Sequence, residues 1–294
     1  MNTQPLPGAN AGLAGPAAGL AAANTPLRFA CSNIAWGAGA DEAEVFDLLQ
    51  CVGITGIELA PTVVWPGWQG ATAAAARSYA HALADRGLQI PSLQALLFGC
   101  PDALLFGPHG TAHFERQLAL CAELGQALGA RVAVLGAPRQ RQRGGLAPEQ
   151  AAAQAAAPLR RAAARCADAG MVLAIEPARP EDGGDFLTTT TEVMQFVQDH
   201  GGRGLGVHLD AAALFLAGES LPDLGPVSQF AHYQLSEPGL GPFVATRAPQ
   251  TANLAWLQQQ GWPHWCSVEM RSSPLGLRAA GPWPLIQPFL KPAT

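Results

Sequence analysis

The chain has 294 residues, 49% hydrophobic and 13% charged, with a formal net charge of −5. This supports a substantial core, either two ordinary domains or one large α/β barrel, and argues against sequence-independent nucleic-acid binding, which needs a basic face. The six cysteines (Cys31, Cys51, Cys100, Cys121, Cys166 and Cys266) are scattered without a C-x-x-C pair, as expected of buried thiols in a reducing cytoplasm.

Residues 1–26 carry no charged side chain and are built largely from Ala, Gly, Pro and Asn. They lack the basic start and apolar core of a signal peptide, and proline and glycine break them too often for a membrane span. They read as a flexible leader before a single domain over 27–294.

From Leu27 the chain alternates. Strand-like apolar runs fall at 27–33, 56–60, 90–96, 132–136, 171–177, 204–210, 230–236 and 265–270. Helical stripes lie between them, with Val45, Leu48 and Leu49 on the first, and Leu118, Cys121, Leu124 and Leu128 on a later one. Helices are expected to stop at Gly53, Gly87, Gly129, Gly170, Gly201 and Gly261, where glycine takes the left-handed conformation without a Cβ penalty. Thr189 to Glu192 reads as a capping box. Eight alternations predict an α/β fold, a single-domain (β/α)8 TIM barrel. The competing doubly wound sheet usually shows G-x-G-x-x-G after its first strand, and SNIAWGAGADEAE lacks it.

Such a barrel carries its chemistry at the C-terminal strand ends. Glu176, Asp210, Gln234 and Glu269 close the fifth to eighth runs. In the fifth, Ala174 and Glu176 share one face while Leu173 and Ile175 share the other; the small side is expected to face the axis. Three converging carboxylates repel one another, and a divalent cation with oxygen ligands relieves this. The Gln234 amide oxygen would add a ligand without charge. Each residue also has a plainer role: Asp210 as a helix cap, Glu269 in an ion pair with Arg271, Gln234 as a structural hydrogen bonder.

The motifs SNIAW (32–36), GIELAPT (56–62), SLQALLFG (92–99), LGAPRQR (135–141), IEP (175–177), DFLTT (185–189), HLD (208–210), HYQLSEP (232–238) and SVEMR (267–271) resemble, in order and spacing, the sugar phosphate isomerase/epimerase family of xylose isomerase-like barrels. The resemblance covers nearly all of Leu27 to Pro292 and implies a divalent metal, most often Mn²⁺ with Mg²⁺ or Co²⁺ as substitutes. Its ligands carry over to Glu176, Asp210, Gln234 and Glu269. It further implies that Glu176 and Glu269 transfer protons through a metal-stabilised enediolate of a sugar or sugar derivative, giving isomerisation or epimerisation. Two positions depart from the pattern. Gln234 stands where histidine is common, although related dehydratases use glutamine there. Ala213 stands where ketose epimerases of the family often have histidine. A lyase of the same fold and a non-catalytic sugar-binding barrel are therefore the alternative readings. A nuclease of the superfamily would need a histidine-rich zinc cluster, which the seven histidines do not form.

Around these acids, Trp36, Trp65 and Trp68 are candidates for stacking on a sugar face. Arg141 matches an arginine of the resembling branch and suits a phosphate or carboxylate. His208 and His232 share faces with Asp210 and Gln234 and are expected to support the ligands or substrate. Arg271 and Glu58 complete the substrate-side candidates. The expected partners are a small sugar substrate and a second copy of the chain, with no nucleic acid or membrane.

Overall fold

The computed structural model describes residues 25–290; most of the expected leader, residues 1–24, lies outside them. Eight parallel strands close into one barrel in sequence order. They are β1 (Arg28–Ser32), β2 (Gly56–Leu59), β3 (Gln89–Leu93), β4 (Val132–Leu135), β5 (Val172–Ile175), β6 (Leu205–Asp210), β7 (Phe230–Ser236) and β8 (Trp265–Glu269). Every expected strand is present, displaced by at most three residues at an end. The helices are α1 (Glu42–Cys51), α2 (Pro61–Val64), α3 (Ala73–Ala84), α4 (Pro108–Leu128), α5 (Pro148–Asp168), α6 (Thr190–His200), α7 (Ala211–Ala217), α8 (Gln250–Gln259), α9 (Gly276–Ala280) and α10 (Trp283–Ile286). None of the described helices is long and apolar enough to cross a membrane.

Side-chain parity divides the barrel into an outer and an inner face. Leu173 and Ile175 on β5, Leu209 on β6, Tyr233 and Leu235 on β7, and Val268 on β8 point outward into the large core shared with the helices. Leu118, Cys121, Leu124 and Leu128 on α4 meet that core as their spacing predicts. On α1, Phe46 is buried beside Leu48 and Leu49, while Val45 is only partly covered. Inside the barrel, Val132, Val134, Ala174 and Ala231 make a small separate apolar cluster. Above it, toward the C-terminal ends, the inward positions become polar.

Glycine stops the preceding helix with positive φ at Gly53, Gly87, Gly129, Gly170 and Gly261. Gly201 differs: its φ is −65°, an extended exit after α6. The capping box forms by half. Thr189 Oγ1 accepts from Glu192 N at 3.1 Å, but the Glu192 carboxylate turns to Thr188, accepting from its backbone N at 2.6 Å. All six cysteines are free; Cys31, Cys121, Cys166 and Cys266 are buried as expected, while Cys100 is partly buried and Cys51 is exposed.

The N-terminal end of the barrel is packed by Trp265 over Gly56. A Cβ at Gly56 would stand 2.6 Å from the Trp265 ring and 2.9 Å from Ala30 Cβ. Gly56→Ala is therefore expected to destabilise the fold by about 1–3 kcal/mol through overpacking, measured as a lower urea midpoint with unchanged slope.

Candidate functional site

The site rests on a buried polar layer inside the barrel. Register places Ser32 beside Glu58, Glu58 beside Ser92, His208 beside His232, and Gln234 between Asp210 and Ser267. Glu58 is fully buried and accepts three hydrogen bonds, from Gln234 Nε2 at 2.6 Å, Ser92 Oγ at 2.7 Å and His232 Nε2 at 2.7 Å. Burial alone would raise its carboxyl pKa, but His232, then Gln234 and Ser92, outweigh burial and hold it at about 2. The His232 Nε2 also lies 3.2 Å from Ser267 Oγ.

This layer fixes the direction of Gln234. Ionised Glu58 only accepts, so the Gln234 NH₂ must face it and the amide oxygen must face away. That oxygen lies 2.8 Å from His208 Nε2, which therefore carries the proton. His208 is held neutral, its pKa lowered to about 3 by burial and by His232 stacked 5.4 Å away. An amide oxygen has two lone pairs, so Gln234 retains acceptor capacity after bonding His208.

The acids stand at the mouth above this layer. Asp210 closes β6 and starts α7, accepting from Ala213 N at 2.7 Å, so the helix-cap reading is correct. Its second oxygen accepts from Ser236 Oγ, which itself accepts from Ala212 N at 3.0 Å. Arg179 Nη1 lies 3.6 Å from Asp210, while the same guanidinium grips Asp182 through Nε at 2.7 Å and Nη2 at 2.6 Å. Glu176 and Glu269 line one cleft of about 850 Å³ at the barrel mouth. Neither carboxylate makes a side-chain hydrogen bond to the described residues, so turning either one breaks no bond. Burial first, then the neighbouring acids, raise the pKa values of both; Arg179 opposes the shift.

Among the described residues, no three His, Cys, Asp or Glu side chains are placed to hold a metal ion, and of the four expected ligands Glu176 and Glu269 line the cleft while Asp210 and Gln234 do not. Hard oxygen donors stand at or just past the ends of four adjacent strands, those of Glu176, Asp210, Gln234 and Glu269. Arg179 offsets part of their negative charge, and the remainder suits a hard divalent cation.

The remaining candidates are distributed unevenly. Arg271 lines the cleft and forms no ion pair with Glu269. Arg141 is fully buried outside the cleft lining and donates to the Glu176 carbonyl at 2.6 Å, supporting the backbone that carries this acid. His208 and His232 lie beneath the mouth, within the polar layer. Trp65 is buried against Tyr79 and Trp36 packs edge-on against Phe46; neither lines the cleft. Trp68 binds the Phe98 carbonyl at 2.8 Å. Ser236 shares the alternating polar face of His232 and Gln234, legible in the sequence, but its bond to Asp210 is not; Arg179 follows a strand-end acid by three residues, which alone signals little.

Gly136, just past β4, leaves the space Glu176 uses. A Cβ there would stand 2.5 Å from Glu176 Oε2. Gly136→Ala is expected to displace that carboxylate, with thermal unfolding close to wild type. A crystal structure of the variant beside a melting curve checks both.

No curated protein matches the sequence. Among solved structures, a D-allulose 3-epimerase from Methylomonas sp. aligns with TM-score 0.66 and 18% identity, covering 84% of this chain and 85% of that one. The IolI protein with a bound zinc atom aligns with TM-score 0.68 and 14% identity, covering 89% and 94%. The Escherichia coli 3-keto-D-glucoside 4-epimerase YcjR aligns with TM-score 0.64 and 14% identity, covering 84% and 93%. At these identities the likeness concerns the fold. The sequence model for the xylose isomerase-like TIM barrel matches residues 46–284, most of the chain. With the closed barrel in hand, the chain belongs to the xylose isomerase-like TIM barrel family.

Proposed function

We propose that the mouth is the centre of a divalent-metal-dependent isomerase or epimerase acting on a sugar or sugar derivative. The observation that carries this reading is the pair Glu176 and Glu269, brought from the end of β5 and from β8 into one cleft, with neither carboxylate hydrogen-bonded to a described residue. Two acids flanking a bound substrate are what proton removal and return require. The epimerases of related fold support the reaction class.

Glu176, Asp210, Gln234 and Glu269 would hold the metal, and their all-oxygen set favours Mn²⁺ or Mg²⁺ over Zn²⁺. When bound, the ion supplies Lewis acidity to a substrate carbonyl and its neighbouring hydroxyl. One of Glu176 and Glu269 takes the proton from the carbon beside the carbonyl, and the other returns a proton. Return to the opposite face of that carbon inverts it; return to the adjoining carbon moves the carbonyl. Glu58 fixes the Gln234 amide, Ser236 and the Ala213 N–H fix Asp210, and Arg141 fixes the backbone at Glu176.

A lyase reading has specific support in Gln234, which stands where histidine is common in the family, and in Ala213, which stands where its ketose epimerases often have histidine. There, the same proton abstraction would expel a β-hydroxyl. Elemental analysis of protein equilibrated with Mn²⁺ and desalted is expected to find near-stoichiometric metal, lost in the Glu176→Gln/Glu269→Gln double variant. Equal metal in both proteins would rule out the assigned ligand set. With metal retained, an ultraviolet-absorbing dehydrated product would favour the lyase over the isomerase.

A further inference from the structure

The barrel has a second cleft, at its N-terminal end, opposite the mouth. It encloses about 600 Å³ and is lined by Arg28, Arg131, His81, His264, His232 and Trp265, among others. No aspartate or glutamate is among the described lining residues, although the chain as a whole carries a net charge of −5. Neither arginine forms an ion pair with any described residue. Residues 1–26, which lead into β1, contain no acid that could supply the missing charge.

The cationic wall is oriented. Arg28 Nη2 donates to the Pro263 carbonyl at 2.6 Å, and its guanidinium lies over the Trp265 ring at 5.1 Å. This fixes the plane of the fork and leaves other N–H groups to donate. It also covers the indole face, so recognition in this cleft runs through charge and hydrogen bonding rather than ring stacking. The innermost wall is His232, 1% exposed, with Nε2 engaged by Glu58. His264 has a lowered pKa, from burial first and then from His232 and Arg28 nearby, in keeping with a positive field. Guanidinium groups without a carboxylate partner among the described residues, in a concave space of ligand size, are matched to anionic oxygens.

We propose that this N-terminal cleft is a binding site for a small, multiply charged organic anion, a phosphate ester or a polycarboxylate, separate from the reaction centre. The inference does not rest on the reading of the mouth. Isothermal titration of the full chain at low ionic strength, with inorganic phosphate and with citrate as probes and glycerol as a neutral control, tests it directly. Saturable one-to-one binding of an anion is expected, without heat from glycerol. Arg131→Gln and His264→Gln should each weaken binding about tenfold, and Arg131→Lys should retain part of it, which separates lost recognition from lost folding. Preference for phosphate identifies the phosphate-ester source and preference for citrate the polycarboxylate source; both uphold the site. Absence of saturable binding by either anion overturns it. So does binding that survives Arg131→Gln and disappears in Arg271→Gln, because that places the anion at the mouth.

Discussion

Replacing Glu58 with alanine is expected to lower the free energy of unfolding by about 3–5 kcal/mol. The substitution leaves the buried donors of His232, Ser92 and Gln234 without their shared acceptor, and each unsatisfied buried group costs free energy. Urea denaturation measures the loss. Its pH dependence follows from the same geometry. Glu58 has a folded pKa of about 2 against an ordinary value of 4.5, so the folded state prefers the ionised form. The resulting stabilisation, on the order of 3 kcal/mol, is fully present above pH 4.5 and is lost as pH falls through the folded value near 2. Wild-type stability should therefore fall between those limits, and Glu58→Ala should flatten that part of the acid limb. Freed from Glu58, the Gln234 amide also loses its fixed direction. Metal affinity, read by chelator competition, is expected to drop about 10- to 100-fold. Unchanged affinity in a folded Glu58→Ala variant would mean that Gln234 is not a ligand.

Glu176→Gln is expected to reduce turnover by about 10²–10⁴-fold. The amide keeps the size of the side chain and still accepts hydrogen bonds, but it no longer exchanges a proton at the substrate carbon. Because Glu176 has no hydrogen-bond partner among the described side chains, the substitution breaks none, and the melting temperature should stay near wild type or rise as repulsion from Asp210 and Glu269 is relieved. A large loss of rate together with a large loss of stability would assign Glu176 a structural role instead.

The fold was legible because β5 and β6 combine outward branched residues with an inward face that is small below and acidic at the end. All six helices expected to end at a glycine end at or just before one, five with positive φ and α6 with an extended exit at Gly201. The acids at 176, 210 and 269 were legible by the same parity. The partners of Gln234 were not, because parity gives a face and not the residues met across a closed barrel. Glu58 lies five strands before β7, and only closure and register bring it to Gln234. Arg179 was missed because its loop geometry, and not its spacing, turns one arm toward Asp210. Trp36 and Trp65 show the opposite difficulty. An indole after a strand suits a sugar face or a core contact equally, and here Phe46 and Tyr79 occupy the flanks.

The most direct test of the reaction centre is hydrogen exchange at carbon. Mn²⁺-loaded protein is incubated in D₂O with a panel of ketoses and keto-sugar derivatives, and deuterium beside the carbonyl is followed by proton NMR. Incorporation into at least one substrate is expected with the wild type, and its loss in both Glu176→Gln and Glu269→Gln. Incorporation that persists in both variants, or its absence from the whole panel despite stoichiometric metal, would contradict the proposed reaction.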